Sequence, residues 1–135
     1  MQELKSQFIV KANMPNKNNR IYSKEILRKI VEDFEKLPDR TLMGQLGMSE
    51  DSVVHLANVS HLVKDLYLSD QDELLADIEV MNTPSGAKLV DMIDQGNVVF
   101  RMQGVGNAES VDGNNVIQEN YKMITINAIL AEDAS

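Results

Sequence analysis

A chain of 135 residues suits one domain with a core of its own, and the absence of cysteine excludes disulfides and thiolate metal sites. A net charge of −8, with lysines and arginines scattered among acids, argues against nucleic acid or an anionic membrane as partner and leaves a basic protein surface as a suitable one. No run approaches the ~20 apolar residues that cross a bilayer, and Met1 to Lys11 lacks a signal peptide's apolar stretch, so the expectation is a soluble protein made in a reducing cytosol.

Phe8 to Ala12 is the first strand candidate. Ser23 can cap a helix, and Tyr22 before it can staple against Leu27. Ile26, Leu27, Ile30, Val31 and Phe34 then recur at helical spacing until Pro38 forbids continuation. Leu42 to Leu46 and Val59 to Leu68 are strand candidates. In Glu73 to Val80, Leu74, Ala76, Ile78 and Val80 share one face, with Asp77 and Glu79 on the other. Thr83, Pro84 and Gly96 frame a second helix whose buried face is Leu89, Val90 and Ile93. Val98 to Val105 follows as a strand, and Asp112-Gly113 with Asn114-Asn115 marks a turn. In Lys122 to Leu130, Ile124, Ile126, Ala128 and Leu130 share a face, with Thr125 and Asn127 opposite. About six strands and two helices result, with no repeat, low-complexity tract or linker. The predicted fold is a single α+β domain over residues 1–135, a small, partly closed, mainly antiparallel β-barrel with two flanking helices.

Several local patterns occur in a telling order: Asn19-Arg20-Ile21-Tyr22, Gly44-Gln45-Leu46, Val59 to Leu66, Ile78 to Gly86, and Gly104-Val105-Gly106. In that order the chain resembles the prohead core protein serine proteases of T-even-like phages, over roughly Phe8 to Leu130. The resemblance implies an assemblin-like barrel flanked by helices, and an enzyme that cuts scaffold and capsid proteins. It also implies a histidine in a Gly-x-Leu-x-His-Pro stretch, where this chain has Met48. The implied serine, in a Ser-Ser-Arg-Gly stretch, falls on Arg101 or Met102. A thioether does not accept a proton at neutral pH and a guanidinium stays charged, so neither can serve as base or nucleophile.

The expectation is therefore a protein that is not an enzyme. It would be a phage virion structural protein on a prohead protease fold, a capsid decoration or cement protein or a head-tail accessory. It would be made in the host cytoplasm and carried in the virion. Its partners would be other virion proteins, capsid or head and tail subunits, in a homo-oligomer or larger assembly, with no nucleic acid, membrane, cofactor or metal. One alternative is an active serine protease of prohead scaffold and capsid proteins, using Ser110 or Ser49 with His55 or His61. Another is a pseudoenzyme that regulates head maturation. Ser60 and His61 are sequence neighbours, and alternation along a strand should point them to opposite faces, so that they do not form a nucleophile-base pair. His61 is expected to keep a structural contact found in the family, and His55 to be a solvated loop residue; the two together are a weak metal signal. Asp77 and Glu79 read as a solvated face, and Asp70, Asp72 and Glu73 as an acidic turn without calcium-loop spacing.

Overall fold

Both helices begin where their caps stand. In this computed structural model, which describes residues 2–48, 50–51 and 53–131, the Ser23 hydroxyl accepts the Ile26 N–H at 3.3 Å and opens α1 (Lys24–Glu35). The Thr83 hydroxyl accepts the Gly86 N–H at 2.9 Å and opens α2 (Pro84–Asp94). Strands fill the rest: β1 (Glu3–Lys11), β2 (Arg20–Ile21), β3 (Leu42–Gln45), β4 (Val59–Leu68), β5 (Glu73–Val80), β6 (Val98–Val105), β7 (Ala108–Val111), β8 (Asn114–Ile117) and β9 (Lys122–Leu130). The six predicted strands and both helices are present. The short β2, β7 and β8 were too brief to show a period. Asp112 and Gly113, both at positive φ, turn β7 into β8.

The hydrogen-bonded order is β1-β5-β4-β3, then β6-β9, then β2-β8-β7, with β2-β8 the parallel pair. Leu27 and Phe34 of α1 and Leu89 of α2 pack with Val63, Leu66, Leu74, Ile78 and Ile126 into one core. Tyr22, buried before the first cap, meets Tyr121 edge-on at 5.4 Å between centroids. Val31, Val90 and Ile93 lie half-buried at the margin.

The predicted barrel is corrected: the sheets do not close. β3 packs on β9 without a ladder, joined by an isolated parallel bridge just past its end, Leu46 to Ala128, so the strands run in effect β1-β5-β4-β3-β9-β6. Closure would need β6 to pair with β1, but β1 is bonded only to β5 and β6 only to β9 among the described residues. The two strands run close together without a hydrogen-bonded ladder, and residues of both line a cleft of about 600 Å³. Thr125 and Asn127, on the face of β9 opposite Ile126 and Ala128, are fully buried as well, where strand alternation leads one to expect solvent. The end of β3 covers that face: the Thr125 hydroxyl donates to the Met43 carbonyl at 2.7 Å, and Asn127 accepts the Gln45 N–H.

Candidate functional site

Three buried amides gather where β3, β6 and β9 meet. The Asn127 carbonyl accepts the Gln45 backbone N–H at 3.0 Å. Its amide nitrogen donates to Gln103 Oε1 at 2.6 Å and to the Met48 sulfur at 3.4 Å. Buried amides carry a desolvation cost unless partnered, so this network fixes the three strands at one point.

Gln45 passes that rigidity to the loop after β3. Its Oε1 accepts the His55 N–H at 2.7 Å and its Nε2 donates to the Val53 carbonyl at 3.4 Å. The Leu46 N–H donates to the Asn58 carbonyl at 2.9 Å and clasps the base of the loop. On the loop, His55 Nε2 lies 2.9 and 3.0 Å from the two carboxylate oxygens of Asp51. Both side chains are about half exposed, at 47% and 56%. A carboxylate only accepts, so this contact puts the neutral ring's proton on Nε2 and leaves Nδ1 as its proton-accepting nitrogen.

The second histidine is in a different setting. The expectation that strand alternation keeps the Ser60 and His61 side chains apart is corrected: Ser60 Oγ lies 2.8 Å from His61 Nδ1, and both side chains are fully buried. The imidazole reaches back along its own strand, and its Nε2 meets the Ile126 carbonyl at 2.8 Å. A carbonyl only accepts, so the neutral ring donates from Nε2 and receives the Ser60 hydroxyl proton at Nδ1. Gly44 stands opposite His61 in the β3-β4 ladder, where a Cβ would collide with the His61 ring and the Ile126 carbonyl. Burial is the main influence on the ring and pushes its pKa down to about 4, against the opposing carbonyl bond. The pair is held neutral and out of reach of a peptide, as a seam between β3, β4 and β9.

Met48 and Gln103 converge on Asn127, and Arg101 faces Asn127 across the β6-β9 ladder. Met102 pairs with Ile126 in the ladder and is buried in the core, away from that group. Ser110 is exposed on β7 opposite Asn115, and Ser49 lies outside the described residues. His55 and His61 have separate partners, and no group of three or more potential ligands among the described residues could hold a metal ion. Asp77 accepts the Ser6 N–H at 2.9 Å and the Tyr67 hydroxyl at 3.1 Å, while Glu79 sits 3.9 Å from Lys64. Asp72 pairs with Lys24 at 2.9 Å.

Sequence reasoning missed Gln45, Gln103, Asn127 and Asp51. One signal for the amides was polar side chains inside otherwise apolar strands, which are tolerated in a core only with partners. The signal for Asp51 was its four-residue spacing from His55.

The sequence profile of the prohead core protein serine protease family matches residues 4–134. Among solved structures, the bacteriophage T4 capsid assembly protease, gp21, superposes with a TM-score of 0.83 at 20% identity, covering 95% of this chain and 81% of that one. No curated protein sequence matches the chain. The expectation that the chain is not an enzyme is corrected by the profile match, because the family is one of serine proteases. That expectation rested on Met48 and Arg101 or Met102 occupying two implied positions. A resemblance carried by short motifs does not fix the register to one residue, and it takes no account of an acid-histidine pair elsewhere in the same loop.

Proposed function

The chain belongs to the prohead core protein serine protease family, and from that premise we propose that it cuts phage capsid and scaffold proteins during prohead maturation. The profile match across residues 4–134 carries this reading. His55, oriented by Asp51, is its general base, and a serine of the same loop is its nucleophile, Ser49 first. His55 Nδ1 takes the hydroxyl proton as the oxygen attacks the peptide carbonyl, then returns it to the departing amine; water repeats the cycle on the acyl-enzyme. Asp51 holds the ring in the competent tautomer and stabilises the imidazolium. Two contrasts support His55 over His61: it is half exposed, and it has a carboxylate where His61 has a backbone carbonyl.

The test is to incubate the purified chain with the capsid and scaffold proteins encoded in the same genome and to sequence the products by mass spectrometry. Discrete cleavage that disappears with Ser49→Ala supports the whole reading. Cleavage that survives Ser49→Ala removes that serine from it, and intact partner proteins overturn the protease reading.

A further inference from the structure

We propose that Ser85 and Thr83, where α2 begins, are positioning residues for His55: their hydroxyls fasten the turn Leu56–Asn58 to the helix and so hold the imidazole where it can take up a proton. The inference rests on the reading of His55 as general base. It adds to that reading the part of the fold that keeps the base in place.

The need for an anchor outside the loop comes first. Asp51 and His55 lie on the same loop, so their contact orients the ring within the loop and does not fix it to the body of the protein. A general base must be held within hydrogen-bonding reach of its proton, and a misplacement of about 1 Å can cost about a hundredfold in rate. Gln45 secures the limb of the loop that leads into His55. The limb that leaves it is a single 3-10 turn, Leu56–Asn58, with no side-chain cap and no buried residue, and Leu56 is 74% exposed. So short a turn has little stability of its own.

Two hydroxyls hold that turn. Ser85 Oγ donates to the Ala57 carbonyl at 3.1 Å, and Thr83 Oγ1 donates to the Val59 carbonyl at 2.8 Å. Thr83 Oγ1 also accepts the Gly86 N–H, so one hydroxyl both caps the helix and grips the end of the turn. Ser85 is buried. A serine in the first turn of a helix commonly bonds to backbone nearby, yet this one reaches 28 positions back along the chain.

The helix is itself fixed at this end. Gly86 lets it fold tightly onto the corner before it, since a Cβ there would collide with the Met81 carbonyl. The Met81 N–H donates to the Ser60 carbonyl at 2.9 Å, which ties that corner to β4 just past the turn. The last link is the Asn58 N–H, which donates to the His55 carbonyl at 2.9 Å. A shift at Ala57 or Val59 therefore reaches His55 through one bonded turn.

The test compares Ser85→Ala, Thr83→Val and Thr83→Ser in the full chain. Nitrogen-15 relaxation of the substrate-free protein reads the turn directly. Order parameters at Ala57 and Asn58 should fall from about 0.85 in the wild type to below about 0.6 in Ser85→Ala and Thr83→Val, with β5 unchanged. In cleavage of the capsid and scaffold proteins, corrected for folded fraction, kcat should drop about tenfold in both variants while KM changes less than about twofold. Thr83→Ser keeps the hydroxyl and should match the wild type in both measurements. A turn that stays rigid in Ser85→Ala overturns the proposal, as does a mobile turn with wild-type kcat. A rise in KM at constant kcat also overturns it, in favour of a turn that touches substrate. A wild type that cuts nothing defeats the protease reading and the catalytic half of the proposal, and the relaxation measurement then decides separately whether the two hydroxyls hold the turn.

Discussion

The two histidines differ in almost every respect that matters for chemistry. His61 is fully buried, joined to Ser60 and to the Ile126 carbonyl, and pushed down to about 4 by the loss of water. His55 is half exposed on a loop, with a carboxylate on one ring nitrogen. A serine-histidine contact is thus not enough to mark an active site. A ring that no substrate can touch acts as a structural bolt, whereas one that is oriented and still open can move a proton. Gln45 links the two regions: its strand carries Gly44 opposite His61, and its side chain holds the backbone beside His55.

Loss of the bolt should have the largest effect. His61→Ala strands the Ile126 carbonyl and the Ser60 hydroxyl in a new cavity, and should destabilise the fold by about 4 kcal/mol in urea titration. An unchanged midpoint would contradict the seam role. Gly44→Ala attacks the same place by overfilling it and should cost about 3 kcal/mol by the same measurement.

Acid should also find the bolt. The unfolded histidine takes a proton near the ordinary 6.5, while the folded one resists until about 4. Stability from His61 is therefore complete above pH 6.5, falls as the pH drops between these values, and levels off below about 4. The loss amounts to about 3 kcal/mol, and the corresponding slope should be missing from the unfolding curve of His61→Gln. Gln45→Ala should remove about 2 kcal/mol by orphaning buried groups, and should slow cleavage by freeing the loop that carries His55. At the small end, Asp65→Asn breaks the exposed pair with Arg40 and should change stability by less than about 0.5 kcal/mol.

The long periodic elements were legible in the sequence. Ile26, Leu27, Ile30 and Phe34 are all buried on α1, and Ser23 and Thr83 both cap as their positions imply. The β7-β8 turn followed from Asp112-Gly113. What was not legible depends on contacts distant in sequence. Asn127 alternates like a solvent-facing residue and is buried only because β3 folds over it, 82 positions away in the chain. Ser60 and His61 point apart by strand alternation, and pair only because the ring finds Gly44 opposite it in the β3-β4 ladder. Barrel closure was likewise beyond local pattern, since the alternation of β6 does not show whether β1 comes within hydrogen-bonding reach. In the candidate site, the motifs led to Met48 and Arg101, while the oriented histidine lay further along the same loop.

The most direct measurement is the rate at which wild-type, His55→Ala and His61→Gln chains cut the capsid and scaffold proteins, each corrected for its folded fraction. The predicted result is cutting by the wild type, a loss of at least about a hundredfold in His55→Ala with an unchanged melting temperature, and near wild-type cutting per folded molecule in His61→Gln. No cutting by the wild type, or undiminished cutting by His55→Ala, would contradict the account.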